Sequence, residues 1–198
     1  MKKRKKKTEV KTELLQAGLR LLEENGFNGT GIKEIVDEVG VPKGSFYNYF
    51  KSKEDFTVEI IHFYSENLAI LWDDFLKSGP KDSLGALRYS FEMIISHHEQ
   101  SEVRTGCLIG NLAAEISESS DLCRQKMHYA TTVWKDRVSK QINQGQSIGT
   151  IRDDISAEAL TEFIWNTWEG ALLNMKIVNS TAPVKECISL LFDFFLKP

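Results

Sequence analysis

Ile35-Val36-Asp37-Glu38-Val39-Gly40-Val41-Pro42-Lys43-Gly44-Ser45-Phe46-Tyr47-Asn48-Tyr49-Phe50 reads as two short helices that meet at a glycine turn. Ile35 and Val39 recur at the i, i+4 step of one helix face. Gly40 follows as a C′ residue that tolerates φ > 0. Pro42 fits the first turn of the next helix, where a missing N–H is harmless. Val41, Phe46 and Phe50 complete a shared core, which is the spacing of a helix-turn-helix. The second helix then turns Lys43, Ser45, Tyr47, Asn48 and Tyr49 outward, and in such a unit its first turn enters the major groove. Lysine and the backbone N–H groups of that helix start suit phosphates. Serine and asparagine suit base edges, and tyrosine suits either. A three-helix unit serving only as structure has no need of Lys-Gly-Ser-Phe-Tyr with its polar groups in water, so the stretch predicts DNA binding.

Working outward, Leu14, Gly18, Leu21 and Leu22 share one face of a preceding helix, which Asn25-Gly26 ends. Thr30 is the expected N-cap of the next helix, with Ile32, Ile35, Val36 and Val39 inward. The third helix is expected to end near Tyr49-Phe50. Ser52 caps a fourth, with Asp55 at the capping-box position, and that helix runs to about Lys77 before Gly79-Pro80 breaks it. Further helical patterns fit Ser83 to Ser101, Gly106 to Ile116, Asp121 to Asn143, Ala157 to Asn179 and Val184 to Leu196. No alternating strand pattern persists. The expected fold is all-α, about nine helices: a three-helix helix-turn-helix head over residues 1–53 and a ligand-sensing and dimerisation bundle over residues 54–198.

Composition narrows the function classes. The 198 residues are 41% apolar and 27% charged, as in an ordinary globular protein. No apolar run approaches the roughly 20 residues of a membrane span, and no apolar segment follows the basic start as in a signal peptide. A cytoplasmic protein with no membrane partner is expected. Three cysteines without CxxC spacing argue against a disulfide framework or a zinc site. Residues 1–53 carry 12 Lys+Arg against 7 Asp+Glu, and the remainder 13 against 21. A basic head on an acidic body suits a nucleic-acid partner, although Lys2 to Lys7, a solvated tail on the bland reading, supply six of those twelve positive charges. His97 and His98 are adjacent, so on a helix they point about 100° apart and cannot share a metal as HExxH histidines do. No P-loop, GxSxG or Rossmann fingerprint occurs. Neither an enzyme, a cofactor nor a metal site is expected.

Gly26-Phe27 before Thr30, then Ile35, Gly40, Val41, Gly44, the Phe46 to Phe50 run and Ser52-Lys53-Glu54-Asp55-Phe56 resemble the head of the TetR family of repressors. The resemblance covers Thr12 to about Phe56. It implies an all-helical homodimer in which Lys43, Gly44, Tyr47, Asn48 and Tyr49 approach an operator duplex while Thr30 and Lys53 hold phosphates. Tyr49 stands where the family often has His.

In the body, Val184, Cys187, Ile188, Leu191 and Phe195 form one stripe of the last helix. The stripe suits either the body's core or a two-fold partner, and we take it as the expected dimer interface. Trp165, Trp168, Leu172 and Lys176 share a face of the helix before it. With Trp134 they suit an apolar cavity for a reversible small-molecule effector, Asn111, Asn166 and Glu169 being its polar fixtures; packed tryptophans and a snorkelling lysine are the blander reading. Cys107, with Thr105 as N-cap, falls at position N2 of its helix, where the positive helix end and Arg104 favour the thiolate; a small buried hydrophobe is the alternative. Gly106-Cys107-Leu108 and the Ala171 to Ile177 run resemble the electrophile-sensing, NemR-type branch of the family. That resemblance implies a reactive Cys107 with Lys176 near it.

Overall fold

A computed structural model describes residues 7–101 and 103–198; the basic residues Lys2 to Lys6 lie outside them. Among the described residues there are nine α-helices and no strand: α1 (Lys7–Gly29), α2 (Ile32–Val39), α3 (Lys43–Phe46), α4 (Lys53–Ser78), α5 (Ser83–Gln100), α6 (Leu108–Ile116), α7 (Asp121–Ser147), α8 (Ala157–Val178) and α9 (Ala182–Leu190), the last extended by a π-helical turn over Leu191–Phe195. None of these helices is long and apolar enough to cross a membrane. The chain forms two compact units. The first comprises residues up to Glu66 together with Leu108–Ala130, and the second Asn67–Cys107 with Thr131–Pro198.

The first unit holds the helix-turn-helix. Leu14, Leu22, Ile35, Val36, Phe46, Phe50 and Phe56 are all buried. The rings of Phe46, Phe50 and Phe56 meet at centroid distances of 4.7–5.2 Å, and this aromatic cluster pins α3 to the start of α4. Gly40 ends α2 at φ 72, with its N–H returned to Asp37 O and Val36 O. Pro42 is the N-cap of α3 and not a member of its first turn. Regular α-helix stops at Phe46; Asn48 N then donates to Ser45 O and Tyr49 N to Phe46 O, so the expected tail to Tyr49-Phe50 is a string of tight turns. The cap of α2 is Gly31, not Thr30: the Thr30 hydroxyl turns back to Leu21 O at 3.0 Å and Gly26 O at 2.8 Å. Ser52 does cap α4, accepting from Asp55 N at 3.0 Å, while the Asp55 carboxylate accepts from Lys51 N at 2.9 Å.

The second unit is centred on Trp72, Phe91, Trp134, Trp168, Ile188 and Phe192. The stripe expected to meet a second subunit is part of this core: Val184 is 0% exposed, Ile188 and Leu191 2%, and Cys187 8%. Phe195 packs beside that core with its ring 4.4 Å from Phe163. Leu190 and Phe194 at the C-terminus, and Phe163, Leu173 and Ile177 on α8, are exposed instead. On α8 these three, with Gly170 between them, follow seven-, three- and four-residue steps that keep to one side of the helix.

Candidate functional site

The DNA-facing candidates separate by burial. Lys43, Gly44, Tyr47 and Asn48 are exposed, Ser45 and Tyr49 half-buried, and Phe46 and Phe50 buried. Tyr47 is 52% exposed while Phe46 beside it is 0%. The cause is local: once Phe46 and Phe50 are committed to the aromatic cluster, the residues between them must turn out. A Cβ built on Gly44 meets no atom within 4 Å, so packing does not require glycine there; bare backbone at the surface permits close approach of a partner. The ammonium of Lys7 lies 5.8 Å from the Tyr49 ring centroid.

Thr30 and Lys53 face a different way. Thr30 is 1% exposed. The Lys53 ammonium donates to Phe27 O and sits 4.1 Å from the Phe27 ring centroid. Burial lowers the Lys53 pKa, and the carboxylates of Glu115 and Glu34 oppose that shift. Both side chains thus hold the corner between α1 and α2.

Cys107, Lys176 and Cys187 lie in the second unit, and Cys123 in the first. The helix expected from Gly106 begins at Leu108, so Cys107 directly precedes α6 and does not occupy N2. Gly106 has φ +74, and a Cβ there would be 3.1 Å from Lys176 Cδ. The Lys176 stem therefore packs against Gly106, the neighbour of Cys107. The Cys107 thiol hydrogen-bonds the Glu169 carboxylate, whose pKa burial raises. Glu169 Oε1 and Arg104 Nε are buried without a hydrogen-bond partner among the described residues. A carboxylate at sulfur disfavours the thiolate by charge but accepts its proton, a role that sequence reading missed. The signal for it was present: Trp165, Glu169, Leu172 and Lys176 share one face of α8. Cys107 is half-buried, whereas Cys123 and Cys187 are buried. Burial pushes the Cys187 thiol up to about 11 and raises that of Cys123 as well.

Trp134 and Trp168 belong to an aromatic core with Trp72 and Phe91. Trp72 meets Phe91 at 5.2 Å and Trp134 at 5.7 Å, and Phe91 meets Trp168 at 5.0 Å. Trp165 is half-buried, 5.1 Å from Trp134, with the Lys135 ammonium 5.6 Å from its ring. Of the expected polar fixtures, Asn111 is half-buried on α6 and Asn166 is exposed. A cavity of about 360 Å³ lies between α5 and α9, lined by Arg88, Glu92, Ile95, Glu99, Lys185, Ile188 and Ser189. Its charges are largely paired: Arg88 with Glu92 at 2.8 Å and with Asp193 at 2.5 Å, and Lys185 with Glu99. No group of three or more His, Cys, Asp or Glu among the described residues is placed to hold a metal.

Two family models match the chain: bacterial regulatory proteins, tetR family, over residues 14–60, and tetracyclin repressor-like, C-terminal domain, over residues 83–191. The chain is 31% identical to the HTH-type transcriptional repressor DhaR of Mycobacterium sp. strain GP1 over 96% of this chain and 94% of that protein. It is 35% identical to the transcriptional regulator AcuR of Cereibacter sphaeroides over 83% of this chain and 75% of that one. The crystal structure of the reduced form of E. coli NemR superposes with a TM-score of 0.86 at 25% identity, covering 93% of this chain and 96% of that one. The matched families and relatives are regulators of transcription and not enzymes. The chain belongs to the TetR family of bacterial transcriptional regulators.

Proposed function

We propose that this regulator is a homodimeric repressor that grips a palindromic operator with Lys43, Gly44, Ser45, Tyr47, Asn48 and Tyr49 and lets go when an effector engages the region of Cys107. The exposed edge of α3, opposite the buried Phe46 and Phe50, carries the DNA half of the reading. Tyr47→Ala is its test. A folded variant is expected to lose specific duplex binding while its helical circular dichroism is kept, since the Tyr47 ring is half exposed and meets the core only edge-on at Phe46. Retained affinity for the wild-type site contradicts the assignment.

The dimer contact in this reading is the outward face of Phe163, Leu173, Ile177, Leu190 and Phe194. Such a patch suits a two-fold partner, which presents the same residues in return. On the effector side, Cys107 is the cysteine with access, it touches a proton acceptor in Glu169, and Lys176 lies beside Gly106. These features favour covalent modification of Cys107 by an electrophile or oxidant. A reversible effector within the second unit, near Trp134, Trp165 and Trp168, is the second reading. The buried, unpartnered Glu169 Oε1 and Arg104 Nε favour it, because a hydrogen-bonding ligand would satisfy them.

A further inference from the structure

The corner between α1 and α2 is held from outside the helix-turn-helix. Gly26 adopts φ 71 and ψ −178, a conformation that L side chains rarely enter. Into the space that its missing side chain leaves comes Glu115 of α6: a Cβ on Gly26 would lie 2.1 Å from Glu115 Oε1. The other oxygen, Oε2, accepts the backbone N–H of Asn28 at 2.9 Å. Lys53 of α4 donates to the carbonyl of Phe27, between those two residues, and its charge interacts with Glu115. The Thr30 hydroxyl closes the set on Gly26 O at 2.8 Å. Three side chains from three segments therefore fix three consecutive backbone positions, Gly26 to Asn28, on the way into the DNA-reading pair.

We propose that Glu115 is a positioning residue for operator binding: its carboxylate ties the α1–α2 corner to α6 and so sets the direction in which α3 is presented. The glycine socket and the carboxylate form one device, since any side chain at position 26 would occupy the place of Glu115. A hydrogen bond to an ionised acceptor is stronger than a neutral one. Without it the corner has more conformations to lose when it meets DNA, and affinity falls. Lys53 acts here as the second half of the clamp, which accounts for its inward direction.

The proposal rests on the DNA-binding reading, and wild-type binding measured in the same series tests that reading separately. Full-length wild type, Glu115→Ala and Glu115→Gln are titrated by fluorescence anisotropy against a duplex selected by the wild type, and amide hydrogen exchange is followed at Asn28. Glu115→Ala is expected to bind about tenfold more weakly, the scale of one charge-assisted hydrogen bond, with faster exchange at Asn28 and unchanged protection at Leu14 and Leu15 within α1. Glu115→Gln keeps an acceptor oxygen and is expected to restore both readouts to within about threefold of wild type. Should Glu115→Ala fold poorly, the Gln variant and the Asn28 amide still decide: slow exchange at Asn28 in Glu115→Gln supports the clamp, and fast exchange with wild-type affinity overturns it. Wild-type affinity in a folded Glu115→Ala also overturns it.

Discussion

Cys107 and Cys187 show how environment, not residue type, sets thiol chemistry. Cys187 is 8% exposed and burial pushes its thiol up to about 11, so at pH 7 the neutral, unreactive thiol dominates. Cys107 is more open and hydrogen-bonds Glu169. Under native conditions N-ethylmaleimide is expected to add once, at Cys107, and to release the protein from DNA. Intact mass and a gel shift read the two events. Cys107→Ser should stay unlabelled and bound, while Cys187→Ser should behave as wild type; release of Cys107→Ser by the reagent contradicts the covalent reading. At this scale the sequence was legible where neighbours decide the outcome: Phe46 in and Tyr47 out follow from local periodicity. It was not legible where a distant residue decides. Lys53 reads as a phosphate ligand until Glu115 and the Phe27 carbonyl are brought to it. Thr30 reads as a cap until its hydroxyl finds carbonyls of α1.

The elements were recovered well, but their faces less so. Helix stops at Gly40, Gly79-Pro80 and Asn179 coincide with positive φ or with breaker residues, because caps are written locally. The last helix carries two apolar faces, one through Val184, Ile188 and Leu191 and one through Leu190 and Phe194. Periodicity measures a face without naming its partner, and the π turn over Leu191–Phe195 shifts the register further. Burial resolves the ambiguity and separates two substitutions. Phe194 is 73% exposed, so Phe194→Glu is expected to give a folded monomer in sedimentation velocity at micromolar concentration. Leu191→Glu buries a charge in the core of the second unit and is expected to unfold it. A dimer that survives Phe194→Glu places the two-fold contact elsewhere.

On the scale of the whole chain, the all-α architecture and the helix-turn-helix were legible because both are built from local pattern. The composition of the units was not. Leu108–Ala130 belongs with the N-terminal residues, a grouping made by long-range contacts such as Glu115 to Asn28 and Cys123 to the Glu54 carbonyl, which no window of sequence contains. The first of these contacts carries the functional argument, since it joins the approach to the DNA-reading helices to α6, whose first residue follows Cys107. A dimer with one α3 per subunit must read two half-sites related by a two-fold axis. Selection of the purified wild type against random duplex, followed by footprinting, tests this most directly. The account predicts enrichment of a palindrome whose half-sites are centred about 10–10.5 base pairs, or a multiple of that, apart, with protection lost in Tyr47→Ala. Enrichment of no sequence, or of a single asymmetric site protected equally by Tyr47→Ala, would contradict it.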